Sequence, residues 1–274
     1  MSNSYIFILC PPYSGSTLLW KLISTSPLVS SLPSEGQFVQ EVEEVMRTAP
    51  WDPEYQLPWS EIKAVWDGYW DHSKPFLIEK SPPNLIRTSD IVKWFDPVYF
   101  IIMVRNPYAH CEGLMRRNGW DVRVAAEFSA KCLRRQAENA ESLERSVVFT
   151  YEELVLNTRE ICEKIESFLP GLGTLNPDAE FELVSIDGYV RRGVTDLNPK
   201  KMRALSPHQI REMNEVFKSH RDVMDYWGYE YDEPSMKHTL THALSKARTV
   251  VTSSFPKARR VSREFLKGLA RRFT

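Results

Sequence analysis

A run of aromatic and branched residues, Tyr5 to Leu9, leads through Cys10-Pro11-Pro12 into Tyr13-Ser14-Gly15-Ser16-Thr17. Leu18, Leu19, Leu22 and Ile23 then recur at helical spacing. A strand, a tight turn and a helix in immediate succession commit the chain to folds built on βα units. Gly15 permits a positive φ. The backbone N–H groups that follow it, with three hydroxyls, face one point beside the helix N-terminus. Unpaired N–H donors and the helix dipole both favour an anion there, so the segment reads as a cradle for phosphate or sulfate. An ordinary βα turn rich in small residues has the same composition, and the rest of the chain must decide between the two.

Several nucleotide loops are excluded. A triphosphate-binding loop would carry Gly-x4-Gly-Lys-Ser/Thr, but no Lys follows Gly15 and no second Gly lies five residues upstream. A tyrosine-phosphatase loop would need an Arg six residues after Cys10, where Ser16 stands. No GxGxxG turn is present.

The 274 residues suit one large α/β domain or one domain with an insertion. Cys10, Cys111, Cys132 and Cys162 show no paired spacing, so neither a zinc site nor a disulfide framework is indicated. With no basic-then-apolar leader and no apolar run near membrane length, a cytoplasmic protein is expected. The net charge of −1 hides an asymmetry: residues 245–274 hold nine Lys or Arg against Glu264 alone. Val261, Phe265, Leu266, Leu269 and Phe273 share a helical face in that basic amphipathic tail. It either docks on its own acidic domain or rests on an anionic membrane or an acidic protein surface. Nothing points to nucleic acid.

Further along, strands are expected at 5–10, 76–79, 99–104 and 146–149, with an extended piece at 29–32. Helices are expected at 16–25, 37–47, 59–72, 83–94, 107–117, 122–144, 159–168 and 207–225. Strands alternating with helices indicate an α/β, three-layer P-loop-like fold, its central parallel sheet flanked by helices. Ligands of such sheets sit at the carboxyl ends of the strands.

Three strand ends carry chemistry. Arg105 closes the apolar strand Tyr99–Val104, ahead of Pro107 at a helix start. Such an Arg pairs either with a phosphate or with a structural carboxylate. Lys80 ends the strand of Phe76-Leu-Ile-Glu-Lys-Ser-Pro-Pro-Asn and could follow charge onto a leaving oxygen. Tyr151 lies just past Val147-Val-Phe-Thr and is either plain core or a stacking surface for a base.

In this order the four segments resemble the sulfotransferase superfamily that uses 3′-phosphoadenosine-5′-phosphosulfate (PAPS), most closely its bacterial and tyrosylprotein-type branch. The Ser-Gly-Ser-Thr turn resembles the 5′-phosphosulfate loop and Val104-Arg105-Asn106-Pro107 the 3′-phosphate motif. Glu79-Lys80-Ser81-Pro82 and Tyr151-Glu152-Glu153-Leu154 resemble two further family segments. The resemblance spans about 5–230, ending in Gly228-Tyr229, within a sulfotransferase domain expected over 1–244. It implies that Ser14, Gly15, Ser16 and Thr17 hold the phosphosulfate, Arg105 the 3′-phosphate, and Tyr151 the adenine. Arg191, Arg192 and Gly193 resemble the family's Arg-Lys-Gly element, which would add to the 3′-phosphate site; the two arginines could also belong to a solvated loop. Two positions depart from the pattern. Tyr13 stands where a Lys or Arg is usual, and Gly113 where a serine is expected. Lys80 could supply the missing charge, and Cys111 or a backbone amide could serve the phosphate. A catalytically degenerate module binding PAPS or its product PAP is therefore an alternative, and a small-molecule kinase a more distant one.

The resemblance makes Glu35, in Leu32-Pro-Ser-Glu-Gly, the expected general base, with His110 second. No metal is required, since Arg105, Lys80 and backbone donors match the leaving group's charge. Residues 41–75 could form a lid over the acceptor. Within 41–71, Trp51, Tyr55, Trp59, Trp66, Tyr69 and Trp70 lie with eight acids, among them Glu41, Glu61 and Asp67, against Arg47 and Lys63. That mixture suits a cationic or aromatic small-molecule acceptor, unless the tryptophans simply fill the core.

Overall fold

The structure, a computed structural model, describes residues 3–185 and 188–234; the tail at 245–274 lies outside the described residues. In chain order the elements are β1 (Ser4–Leu9), α1 (Ser16–Ile23), β2 (Val29–Ser31), α2 (Glu43–Thr48), α3 (Trp59–Tyr69), β3 (Phe76–Glu79), α4 (Thr88–Trp94), β4 (Val98–Val104), α5 (Pro107–Asn118) and α6 (Val122–Ser142). There follow β5 (Ser146–Thr150), α7 (Tyr151–Leu156), α8 (Thr158–Phe168), β6 (Phe181–Ser185), β7 (Gly188–Arg192), α9 (Asn198–Met202), α10 (Pro207–Ser219) and α11 (Arg221–Tyr226).

The first five strands form one sheet in the order β2-β3-β1-β4-β5, every neighbouring pair parallel. The two-residue period of a strand sends alternate side chains to opposite faces. Tyr5, Phe7 and Leu9 of β1, with Phe100, Ile102 and Val104 of β4, join one core, shared with Trp59, Trp66, Trp70, Phe95, Ile210 and Phe217. Ile6 and Ile8, with Ile101 and Met103, join the other, against Leu19, Leu22, Ile161 and Ile165. Helices on both faces explain why these strands are apolar throughout rather than alternating. Among the described residues no helix is long and apolar enough to cross a membrane.

Four local expectations differ from the structure. The helix expected at 37–47 is a 3₁₀ turn, Gly36–Phe38, followed by the short α2. Gly36 N–H donates to Glu79 Oε1 at 2.7 Å and Gln37 N–H to Ser81 Oγ at 2.9 Å, so side chains outside this segment hold it in place. The helix at 83–94 begins as a 3₁₀ turn, Pro82–Ile86, because two prolines withhold N–H donors. The helix at 207–225 divides at His220 into α10 and α11. Finally, β6 and β7 pair antiparallel as a hairpin in a stretch without strong patterning.

Segment 41–75 is built into the domain, with Trp59, Ile62, Trp66 and Trp70 all buried. The tryptophan-filled core therefore holds for three of its four tryptophans.

Candidate active site

Because the five strands are parallel, their carboxyl ends lie along one edge, and each delivers a loop there. β1 leads to the cradle, β3 to Lys80, β4 to Arg105, β5 to Tyr151, and β2 to Glu35. A cleft of about 830 Å³ opens at this edge, lined by Gly15, Ser16, Thr17, Glu35, Arg105, Tyr151, Arg192 and Gly193 among others.

Gly15 is the N-cap of α1 at φ 104°, with no side-chain cap; its carbonyl takes the Leu18 and Leu19 N–H groups, and the helix start that lines the cleft is Ser16 and Thr17. A Cβ here would stand 2.8 Å from Tyr151 Cδ2, which makes glycine obligatory twice over. Tyr13 also takes a positive φ, 60°; its hydroxyl donates to Asn118 Oδ1 at 2.7 Å. Ser14 is fully buried, its Oγ turned to the Pro12 carbonyl at 3.5 Å, and does not line the cleft. Of the three cradle hydroxyls, Ser16 and Thr17 remain on the cleft side.

Lys80 is buried and donates to Glu35 Oε1 at 2.7 Å and Thr17 Oγ1 at 2.9 Å. One ammonium thus ties the candidate base to the anion cradle. Gln37 Nε2 donates to the second Glu35 oxygen at 2.6 Å, fixing both ends of the carboxylate. Beneath them Glu79 accepts from Gly36 N–H and from Ser81 N–H and Oγ, and binds Asn84 as well. Burial pushes the Glu79 carboxyl above its ordinary range while those donors oppose the shift. A Cβ on Gly36 would lie 2.4 Å from Trp66 Cζ2. Gly36 and Glu79 brace Glu35, a role that composition and spacing did not single out.

Arg105 is buried, with its guanidinium carbon 3.8 Å from the centre of the Tyr151 ring. Its Nε donates to Asn198 Oδ1 at 2.7 Å and its Nη1 to the Tyr13 carbonyl at 3.3 Å. Nη2 is buried without a hydrogen-bond partner, the state expected of a donor kept for an anion. Burial pushes the Arg105 guanidinium below its ordinary value, and the Tyr151 phenol and the Glu152 and Asp196 carboxylates oppose that. Asn198 in turn bonds Glu152, which also accepts from Tyr229 Oη at 3.0 Å. Tyr151 is buried at the cleft wall. Its ring lies between Gly15 and Arg105 within the cleft lining, and its hydroxyl is fixed by the Thr195 carbonyl and Leu197 N–H.

The hairpin separates the two arginines. Arg192 and Gly193 line the cleft, whereas Arg191 is exposed and pairs with Glu180 at 3.1 Å. Gly113 lies behind the lining: a Cβ there would meet Lys201 Nζ and Tyr13 Cβ, each at 2.9 Å. His110, the second candidate base, is buried against Ser129 at 3.0 Å, outside the cleft lining, and burial lowers it to about 3. It is a packing residue. Asn198 and Lys201, both from the short α9, were missed, because nothing in Asn198-Pro-Lys-Lys-Met marks a site until the fold folds it back on the cradle.

The lining also includes Phe38, Pro50, Trp51, Pro82, Pro83, Trp120 and Phe128, together with Arg47, Arg116 and Arg117. Glu35 and Glu182 are the acids among the lining residues; the eight acids of 41–71 do not line it.

The sheet edge thus gathers N–H, hydroxyl and guanidinium donors around a Lys80–Glu35 pair on a P-loop-like α/β fold. Residues 5–173 match the family model described as the Sulfotransferase family, and the chain belongs to that family. Its fold is similar to the sulfotransferase domain of an olefin synthase from Synechococcus PCC 7002, at 20% identity and TM-score 0.50, covering 84% of this chain and 96% of that one. The sulfotransferase domain of the curacin biosynthetic pathway is similar at 18% identity and TM-score 0.50, covering 84% and 99%. Sulfotransferase STF9 from Mycobacterium avium is similar at 13% identity and TM-score 0.56, covering 85% and 79%. No curated protein gives a significant sequence match.

Proposed function

We propose that the protein moves a sulfuryl group from PAPS to a hydroxyl or amine of a small molecule, with Glu35 as the base. The observation that carries this reading is the bridge from Thr17 through Lys80 to Glu35 at 2.9 and 2.7 Å, beside a cradle and a buried arginine with one orphaned donor. The donor set fits a ligand with two anionic ends: Ser16, Thr17 and the start of α1 at one, Arg105 and Arg192 at the other, Tyr151 between them.

PAPS, when bound, supplies an activated sulfuryl group on a phosphate leaving group. Charge in such transfers spreads over equatorial oxygens, so positioning and electrostatics dominate. Glu35 is held by Lys80 and Gln37 with one carboxylate oxygen toward the cradle side, where it can take the proton of the acceptor. Lys80, already bonded to Thr17, can turn its ammonium to charge growing on the leaving oxygen. The aromatic and proline walls favour a flat or apolar acceptor. The aromatic part of the acceptor expectation enters this proposal; the cationic part does not, since the acids of 41–71 that suggested it do not line the cleft. Four buried thiols support a reducing, cytoplasmic setting.

Titration calorimetry with PAP and with ATP tests the reading. Micromolar PAP binding with ATP weaker by about tenfold or more is expected, because each charge-assisted hydrogen bond to a 3′-phosphate contributes about 1.5–3 kcal/mol. Tighter binding of ATP would replace this proposal with a kinase. PAP binding without sulfuryl transfer to any hydroxyl or amine would leave the degenerate binding module.

A further inference from the structure

We propose that Lys201 is the cation of the 3′-phosphate subsite, its ammonium standing in the space that a side chain at 113 would fill and beside the loop position that Tyr13 leaves without charge. The assignment rests on the PAPS reading and adds to it a residue outside the four motif segments. Lys201 belongs to α9, whose first residue Asn198 orients Arg105. Its Nζ donates to the Ala109 carbonyl at 2.9 Å and the Tyr13 carbonyl at 3.3 Å, and its side chain lines the cleft. Arg105 Nη1 donates to that same Tyr13 carbonyl, so the two cations meet at one oxygen. A Cβ on Gly113 would lie 2.9 Å from Nζ and from Tyr13 Cβ, so the ammonium occupies space that a side chain at 113 would contest.

Two cations converging on one carbonyl, with a buried Arg105 donor unpaired, form a site short of negative charge. Glu112 is the acid that faces Lys201, at 3.8 Å, and it also pairs with Arg116 at 2.5 Å. The other groups around the ammonium come from three elements. α5 contributes His110, Cys111, Arg116 and Arg117, the end of β4 contributes Arg105, and the cradle contributes Tyr13. Burial first, then repulsion from Arg105, lower Lys201 to about 7, with Glu112 opposing. A dianionic phosphate placed here would raise it again.

The sign follows directly. Above pH 7 the ligand-free ammonium loses its proton, and phosphate binding restores it. Between pH 7.5 and 9 the phosphate of PAP is already a dianion, so its own titration does not intrude. His110, lowered to about 3, and Cys111, raised to about 12, are also silent in that window. PAP binding at pH 8 should take up about 0.9 proton and weaken by up to about tenfold per pH unit above that, from a group at about 7.

Calorimetry of PAP binding to the full chain in buffers of differing ionisation enthalpy reads the proton uptake. Lys201→Met should abolish it and weaken PAP by about tenfold or more at pH 7. Uptake near zero in the unmodified protein overturns the assignment whether or not the variant folds, and so does unchanged uptake in a folded Lys201→Met. PAP binding with no proton uptake sinks the Lys201 role while leaving the nucleotide reading standing. PAP failing to bind at any pH overturns both.

Discussion

At the scale of single residues, the site is a set of close approaches that only certain side chains allow. Gly15 lets the cradle lie on Tyr151, Gly36 lets the Glu35 loop lie on Trp66, and Gly113 leaves room for Lys201. Glu35 owes its place to Lys80, Gln37 and, one layer down, Glu79. Lys80→Met removes the cation shared by the base and the cradle. It should lower kcat by about 10²–10³-fold, the range seen when one preorganised charge-stabilising donor is lost, with PAP affinity changed by less than about threefold. Steady-state kinetics and PAP calorimetry together check this; an unchanged kcat would contradict it. Much of this scale was legible in sequence: Ser16, Thr17, Arg105 and Glu35 line the cleft, and the buried Lys80 bonds Thr17 and Glu35. Ser14 was not separable from its neighbours, because which hydroxyl of a tight turn faces inward depends on backbone dihedrals that residue type does not set.

At the scale of elements, the proposed anion-binding surface is assembled from strand ends and from two short pieces that follow them. β4 carries Arg105 and α9 holds it, while the β6–β7 hairpin brings Arg192. Strand alternation separates adjacent residues of the hairpin, so Arg192 lines the cleft and Arg191 pairs with Glu180 outside it. Arg192→Ala should therefore weaken PAP by about tenfold and Arg191→Ala by less than about twofold, given the 1.5–3 kcal/mol scale of hydrogen bonds to charged groups. Calorimetry on the two variants decides; equal losses would contradict the hairpin's placement. The sheet strands were legible because their residues are apolar on both faces. The hairpin and α9 were not, since such short elements lack a strong periodic pattern and owe their form to tertiary contacts such as those of Asn198.

At the scale of the molecule, one architectural fact organises the rest. Five parallel strands place every carboxyl end on one edge, and the sequence distributes one chemical group to each. The aromatic core under one face, with Trp59, Trp66, Trp70 and Phe95 in mutual edge-on or tilted contact, gives the Glu35 loop a rigid floor. The alternation of strands and helices was enough to infer the sheet, its parallel pairing and the edge at which the cleft opens. The acceptor chamber was read less well, because aromatic and acidic residues that are neighbours in sequence part company in space: Trp51 turns to the cleft, and the acids do not. The central claim is that this edge transfers a sulfuryl group with Glu35 as its base. Transfer from radiolabelled PAPS to a panel of aromatic alcohols and amines, compared between the native protein and Glu35→Gln, tests it most directly. The account predicts labelled product from the native protein and about 10²–10⁴-fold less from Glu35→Gln, the usual contribution of a general base, with PAP still bound. Equal turnover by the two proteins would contradict it.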